Sequence, residues 1–193
     1  SSGAVGAAAV SGLSNNRWQY VNFLTTGGSY LVLANGADSV RNYDGTSWTT
    51  PSITGVTSAD LIGLTVFKQR LYMVEKNKLK AWYLASGAIS GAASALDFSG
   101  IFRLGGYLVA MGAITLDSGD GIDDFAAFLT SEGEVAIYQG TDPSSSTTWS
   151  IVGRYRIGRP IGRRCMIQVG GDLGIITDDG FVPLSQAIRL ERA

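Results

Sequence analysis

The sequence predicts an all-β protein, a β-propeller-like array of four-stranded antiparallel meanders, with a β-sandwich as the alternative. Apolar and polar residues alternate with a period of two along much of the chain, and no long stretch has a helical period. A loose repeat of strand, polar turn and strand recurs four times. Units of this kind bury both faces of their sheets by stacking around an axis, so the repeat favours the propeller over the sandwich.

The turns of the repeat define its period. They are predicted at Asn35-Gly36, Lys76-Asn77, Glu132-Gly133 and Asp179-Gly180. Asn-Gly and Asp-Gly supply the positive φ that two-residue hairpins require. Successive turns lie 41, 56 and 47 residues apart, close to the length of a propeller blade. An apolar run precedes every hairpin and a further strand candidate follows three of them, so the fourth unit is expected to lack its last strand.

The repeat also predicts how the chain is divided. Residues 1–16 form a small-residue-rich N-terminal segment, 17–188 a single propeller-like domain, and 189–193 a polar tail of the kind that links to further sequence. The repeat units are predicted at about 17–56, 57–100, 101–158 and 159–188. Either the N-terminal segment supplies the strand that the fourth unit lacks, or the blades continue in a longer chain. We favour the second alternative.

Composition limits the function. Hydrophobic residues make up 45% of the 193 residues and charged residues 16%, which indicates a globular chain. The formal net charge of -1 gives no general attraction to nucleic acid or to an anionic membrane. The chain contains no histidine, which argues against histidine-activated catalysis and a His-based zinc site. Cys165 is alone, so an internal disulfide is excluded and a buried, inert thiol is expected.

A run of carboxylates among glycines, LDSGDGIDD, is the first candidate site. Asp117, Asp120, Asp123 and Asp124 offer the oxygen ligands that calcium prefers, which makes calcium the one cofactor that the sequence suggests. Their spacing does not match the EF-hand loop. Asp and Gly also dominate ordinary turns, and a structural turn is the interpretation we favour. A third alternative is the carboxylate pair of a propeller glycosidase, for which Asp120 and Asp123 are the candidates.

The second candidate is a run of five arginines: Arg154, Arg156, Arg159, Arg163 and Arg164. Guanidinium groups bind carboxylates and phosphates through paired hydrogen bonds. The run therefore suggests an interface with an acidic subunit or a nucleic-acid backbone, and the alternative is a solvated edge that forms salt bridges with the acidic stretch. Trp149 is a candidate ligand-stacking residue for a carbohydrate, although tryptophan recurs at similar points of the repeat, which favours packing.

Three segments, taken in order, resemble a recurrent phage and prophage virion protein: DSGDGIDDFAAFLTSEGEVAIYQGTDP, WSIVGRYRIGRPIGRR and GGDLGIITDDGFVPLSQAI. The resemblance covers roughly residues 60–190 and extends to the β-propeller-bearing tail hub or nozzle proteins of short-tailed phages, also called tail tubular or packaged-DNA stabilisation proteins. It implies a structural subunit of a ring around the DNA channel, and no catalytic residues. The chain departs from that family by being shorter, since those proteins carry further domains.

One function and two alternatives follow. We expect a non-enzymatic structural component of a phage or prophage tail, located in the virion after assembly in the host cytoplasm. The expected partners are other virion proteins (portal, adaptor and tail subunits) in a homo-oligomeric ring. Contact with DNA in the channel stays open, although the net charge gives it no support. The alternatives are a host-surface carbohydrate-binding module and a propeller glycosidase.

Overall fold

A computed structural model describes residues 7–117 and 122–190 of the chain. In these residues, four small antiparallel sheets are arranged in chain order around a common axis and form a four-bladed β-propeller. The predicted fold class is confirmed, and the β-sandwich alternative is set aside. The period-two alternation has a direct role in this fold, because each strand sends alternate side chains to the two opposite faces of its blade.

Blade 1 contains β1 (Gln19–Thr25), β2 (Gly28–Ala34), β3 (Arg41–Tyr43) and β4 (Trp48–Thr49). The connection to blade 2 contains β5 (Ile53–Thr54) and a 3-10 helix (Ser58–Asp60). Blade 2 spans β6 (Leu61–Phe67), β7 (Arg70–Glu75), β8 (Lys80–Tyr83), β9 (Gly91–Ala92) and β10 (Ser94–Asp97), of which β9 pairs in parallel with β5. Blade 3 contains β11 (Leu108–Asp117), β12 (Ile122–Thr130), β13 (Glu134–Gln139) and β14 (Ser150–Arg156). Blade 4 contains β15 (Met166–Val169), β16 (Asp172–Thr177) and β17 (Gly180–Pro183), and α1 (Leu184–Leu190) follows.

The predicted turns lie between the second and third strands of the blades, but their predicted length of two residues is wrong for the first three blades. Their second and third strands are joined by residues 35–40, 76–79 and 131–133, and only blade 4 has a two-residue turn there. In blade 1 the buried Asn35 side chain accepts hydrogen bonds from the backbone N–H groups of Ala37 and Asp38, which stabilises a longer loop. Tight turns instead join first and second strands, as at Lys68 and Gln69, which both have positive φ.

Three hydrophobic clusters join successive blades. Phe23 and Val32 of blade 1 pack with Leu61 and Leu71 of blade 2. The cluster between blades 2 and 3 is built around Tyr72, Val74, Phe98, Leu108, Met111 and Phe128. The cluster between blades 3 and 4 includes Ile114, Phe125, Leu129, Ile137, Leu173 and Ile175. Because burial of apolar area is the main favourable term in folding, these three blade interfaces are the chief source of stability.

Blade 4 differs from the others in its last element. Its sheet has three strands, and the chain continues from β17 directly into α1. Leu184, Ala187 and Ile188 recur at helical spacing and are buried in the cluster between blades 3 and 4. The helix therefore begins before the predicted C-terminal tail, since its apolar face has a core to cover. Among the described residues, no helix has the length and apolar character to cross a bilayer.

The loops on one axial side of the propeller share a recurring hydrogen bond. In three blades, the backbone N–H group of the residue after the second strand donates a hydrogen bond to a backbone carbonyl oxygen in the segment before the first strand, which we call the inner strand. The donor and acceptor residues are Lys76 and Asp60, Ser131 and Tyr107, and Asp178 and Arg159. The inner strands β6 and β11 also share a register shift beside their first residue. We call this side, where the inner strands β1, β6, β11 and β15 begin, the upper face. Its loops carry the charged residues considered next.

Candidate functional site

The five predicted interface arginines lie in β14 and in the linker between blades 3 and 4, residues 157–165. Arg154 donates a 2.7 Å hydrogen bond to the carbonyl oxygen of Ile101, in the connection between blades 2 and 3. Arg164 donates a hydrogen bond of 2.7 Å to the carbonyl oxygen of Trp18, just before β1. Both arginines are exposed residues whose guanidinium groups nevertheless hold separate parts of this chain together.

Arg156 and Arg159 lie at the rim of the upper face. Arg159 forms an ion pair with Glu132 of blade 3 at 2.7 Å, and the Arg159 side chain is 69% exposed. With Asp178 and Asp179, these residues line an open cavity of about 850 Å³. An exposed ion pair of this kind contributes little to folding stability. This rim therefore offers both signs of charge to a partner without a large cost to the fold.

A second cavity of about 360 Å³ opens on the upper face near the axis. Its walls include Ile62 and Lys76 from blade 2, Val109 from blade 3, and Arg159 and Arg163 from the linker. The ammonium group of Lys76 forms an ion pair of 2.7 Å with Asp60, outside the cavity lining. Glu132, the ion-pair partner of Arg159, also lines this cavity, so its mouth carries charges of both signs. No group of metal-ligating side chains occurs in the described parts of the chain.

Blades 1 and 4 meet differently from the other neighbouring blades. The side-chain amide of Gln19 donates a 2.9 Å hydrogen bond to the carbonyl oxygen of Arg163, and the Arg163 guanidinium donates at 3.5 Å to the carbonyl oxygen of Asn35. A cavity of about 370 Å³ lies beside these contacts, next to Arg17 and Cys165. None of the three hydrophobic clusters of the described residues joins blade 4 to blade 1. Blades 1 and 4 thus contact each other through polar groups at the upper face, whereas the other neighbouring blades contact each other through packed sheets.

As a result, each end blade has a sheet face that no other blade covers. The blade 1 free face consists of Trp18, Tyr20, Leu24, Leu33 and Trp48, on the side opposite to the packed Phe23 and Val32. The blade 4 free face consists of Ile167, Val169, Ile176 and Phe181, on the side opposite to the packed Met166 and Ile175. Relative exposure reaches 68% for Tyr20, 70% for Leu24, 56% for Ile167 and 57% for Phe181. Contiguous exposed apolar surface of this kind marks interaction sites.

The blade 1 free face is partly covered by the segment that precedes it. Val10 and Leu13 lie over Trp18, Leu33 and Trp48 and leave a groove of about 200 Å³. The segment is attached through Ser14, whose backbone N–H and hydroxyl group both donate hydrogen bonds to the carboxylate of Asp38. The hydrogen bond with the Ser14 side chain is the largest cause that holds the pKa of Asp38 below its usual value. Tyr20 and Leu24 lie beyond this groove and remain open.

The described part of the acidic stretch lies at the end of β11 and the start of β12, which pair as an antiparallel hairpin. Asp120 lies outside the described residues, as do 118, 119 and 121, and Asp117 is described only as the last residue of β11. Asp123 and Asp124 are exposed on β12, where Asp124 accepts a 2.7 Å hydrogen bond from the hydroxyl group of Thr115. The Asp123 and Asp124 side chains of this hairpin are thus exposed to solvent. The calcium and glycosidase interpretations stay predictions.

Trp149 lies in the core rather than on a binding surface. Its indole ring is stacked on Tyr138 and Tyr72 at centroid distances of 5.4 and 6.2 Å, and Phe67 meets it edge-on. The residue is 8% exposed. A sugar cannot stack on a ring that the protein already covers, so the geometry speaks against the ligand-stacking interpretation and for the packing alternative. The buried Cys165 agrees with the expected inert thiol, and its burial raises the pKa of the thiol to about 11.

Sequence reasoning missed the two free faces. The relevant signal was present in WQYVNFL, which carries apolar residues at both odd and even positions of β1. A strand with a water-facing side normally alternates. Apolar residues on both faces of the first unit therefore indicate that both faces of that sheet are buried in the working protein.

Comparison with known proteins agrees with the fold. No protein family matches the chain, and the search of curated proteins found no match either. Among solved structures, the chain is similar to one titled "YCF48 bound to D1 peptide", with a TM-score of 0.51 and 15% sequence identity. The similarity covers 86% of this chain and 52% of that chain, so this chain spans about half the length of its structural neighbour. At this identity the similarity concerns the fold alone, a β-propeller.

Proposed function

We propose that the chain is a non-enzymatic assembly part of a phage or prophage tail, which acts through contacts with other protein subunits. The observation that carries this proposal is the pair of free faces on blades 1 and 4. One side of these blades is packed, as the buried Phe23 and Ile175 show. The opposite side exposes large apolar side chains such as Leu24 and Ile167 to water. Such surfaces are typical of proteins that work in a complex.

The charged rim of the upper face provides a second contact region. Arg159 is exposed, and its ion pair with Glu132 is of the weak surface kind. Charges at the rim of an interface select the partner and speed its association more than they add affinity. The virion setting is supported by the sequence resemblance over residues 60–190, and the portal, adaptor and tail subunits are the proposed partners.

Complementation tests the proposal in the phage or prophage that encodes the chain. A deletion of the gene is rescued with the wild-type sequence or with the variant Leu24→Arg/Phe181→Arg, and the particles are viewed by negative-stain electron microscopy. We expect complete tails with the wild type and incomplete tails with the variant, while circular dichroism of the purified variant shows an unchanged fold. Complete tails without the gene would overturn the proposal.

The rim is tested separately by exchanging its charges. Arg159→Glu removes the ion pair and reverses the charge that a partner would meet. The double variant Glu132→Arg/Arg159→Glu restores an ion pair within the chain but keeps the reversed charge at residue 159. If the rim contacts a partner, both variants reduce the yield of complete tails. Full recovery in the double variant would assign Arg159 to internal stability alone.

A further inference from the structure

Three arginines from distant parts of the chain line one cavity at the junction of blades 1 and 4. Arg17 lies just before β1, whereas Arg163 and Arg164 lie in the linker before β15. All three line the cavity of about 370 Å³, and no carboxylate is among the described residues that line it. The junction therefore concentrates positive charge in a chain whose formal net charge is only -1.

These three guanidinium groups have no acidic partner within the described part of the chain, where none of them forms an ion pair. Arg159 provides the contrast, because Glu132 pairs with it and lines the same cavities of about 850 and 360 Å³. The exposed Arg17 side chain also donates no hydrogen bond to any described residue. A cleft lined by charges of one sign attracts ions of the other sign, which relieve the repulsion among its walls.

The two linker arginines are held in place by the residues that follow Arg17. The Arg164 guanidinium donates a 2.7 Å hydrogen bond to the carbonyl oxygen of Trp18, and the Gln19 amide donates one of 2.9 Å to the carbonyl oxygen of Arg163. A guanidinium group has several N–H donors, so the bond to Trp18 leaves most donors of Arg164 available to a ligand. The protein's own contacts therefore bring the three arginines together before any ligand binds.

We propose that this cavity binds a phosphate group, as inorganic phosphate or as the monoester of a small molecule. A phosphate monoester carries roughly -1.5 to -2 charges at pH 7 and several acceptor oxygens, whereas a carboxylate has a single charge and fewer acceptors. Arginines bind phosphate through paired hydrogen bonds, and three of them without an acidic neighbour match the more highly charged ligand. The cavity volume also falls within the range of small-molecule sites, about 300–1,000 Å³. The phosphate site is independent of the proposed assembly role, since it uses this cavity and not the free faces.

A bound phosphate would bridge blades 1 and 4, which no hydrophobic cluster of the described residues joins. Arg17 belongs to the blade 1 side of the cavity, and Arg163 and Arg164 belong to the linker into blade 4. A ligand that binds only the closed junction opposes its opening by mass action. We therefore expect phosphate to slow amide hydrogen exchange in β1 and β15 and to leave exchange in β7, within blade 2, unchanged.

Isothermal titration calorimetry of the purified chain with inorganic phosphate, at an ionic strength held constant with sodium chloride, tests the site. We expect saturable binding to the wild type. Arg17→Gln should weaken it at least about tenfold, because it removes a charged hydrogen-bond donor while no contact within the described chain is lost. Arg17→Lys keeps the charge without the paired donors and should also bind more weakly. Arg103→Gln is the matched control, since Arg103 is also exposed but lies between blades 2 and 3; this variant should bind like the wild type.

The outcomes separate a phosphate site from diffuse attraction of anions. Absence of saturable binding to the wild type, or equal binding by the wild type and Arg17→Gln, overturns the site. Full binding by Arg17→Lys would mean that charge alone attracts the anion, which also overturns it. Binding that leaves hydrogen exchange in β1 and β15 unchanged overturns the bridging of the two blades. A parallel titration with glycerol 3-phosphate distinguishes the sources, because tighter binding than that of inorganic phosphate indicates a monoester and weaker binding indicates the free ion.

Discussion

The side-chain amide of Gln19 donates a hydrogen bond of 2.9 Å to the backbone carbonyl oxygen of Arg163, a residue 144 positions further along the chain. This contact joins the first residue of β1 to the linker that leads into β15. It is partly buried and lies where no hydrophobic cluster of the described residues supports the meeting of blades 1 and 4. The direct contact between these two blades therefore depends on a few polar groups.

Gln19→Ala should loosen this contact without unfolding the blades. Loss of one partly buried hydrogen bond costs about 1 kcal/mol in the free energy of unfolding. We expect faster amide hydrogen exchange in β15, with little change in β11, whose environment is packed. Gln139→Ala removes an exposed hydrogen bond to Ser150 within blade 3 and serves as the control. Equal exchange in β15 for both variants would show that Gln19 does not hold the two blades together.

Gly36→Ala should destabilise the protein more than Gly45→Ala. Both glycines have positive φ, so both substitutions carry the strain of a side chain in the left-handed region, about 1–2 kcal/mol. A Cβ at Gly36 would also lie 2.6 Å from Ile62 and 2.8 Å from a guanidinium nitrogen of Arg163, whereas a Cβ at Gly45 meets open space. The difference between the urea unfolding midpoints of the two variants measures the destabilisation caused by the collision alone. Identical unfolding midpoints would mean that the upper face adapts freely at this position.

Glu134→Ala should cost roughly 2 kcal/mol or more in the free energy of unfolding. The buried carboxylate accepts hydrogen bonds from the backbone N–H groups of Arg103 at 3.0 Å and Leu104 at 2.7 Å, which fixes the loop before β11. Its loss leaves these donors without their partner. Glu132→Ala, which removes only a surface ion pair, should cost less than about 1 kcal/mol. Chemical denaturation measures both values, and equal losses would contradict the role assigned to Glu134.

Trp149→Ala should be among the most damaging single substitutions, at about 3–5 kcal/mol. The indole is buried among Tyr72, Tyr138 and Phe67, so its removal opens a cavity in the cluster between blades 2 and 3. Trp48→Ala is the control, because Trp48 lies half-buried on the blade 1 free face. A glycan array on the wild type checks the carbohydrate alternative. Saturable sugar binding that Trp149→Phe abolishes in a folded protein would revive that alternative.

Acid should release the N-terminal segment from blade 1. Hydrogen bonds from Ser14 and Asn35 hold the pKa of Asp38 below the usual aspartate value of 3.8, so the attached state favours the ionised carboxylate. The attachment is fully present above pH 3.8 and is lost as the pH falls through the lowered pKa. We expect the amide NMR signal of Ser14 to report this release as the pH falls below 3.8. Ser14→Ala should remove most of the pH dependence, and a pH-independent signal in the wild type would contradict it.

The contacts of the five arginines could be predicted only in part from residues near them in the sequence. Five guanidinium groups in a short stretch predicted an interface, and two of them, Arg154 and Arg164, are engaged by backbone carbonyl oxygens of distant segments of the same chain. No property of residues 154–164 reveals that Ile101 and Trp18 lie beside them. An intermolecular role for the exposed Arg159 stays a prediction, and its partner within the chain, Glu132, could not be identified from sequence spacing.

The sequence by itself determined the all-β class and the meander order of the blades, because strand periodicity and turn chemistry act between residues that are near one another in the chain. It also predicted that the fourth unit lacks a fourth strand. Only the tertiary structure decided which faces of the blades are buried, since this depends on how residues near 19 and near 163 meet after four sheets have stacked. For that physical reason the free faces of blades 1 and 4, on which the proposed assembly rests, became visible only in the folded chain.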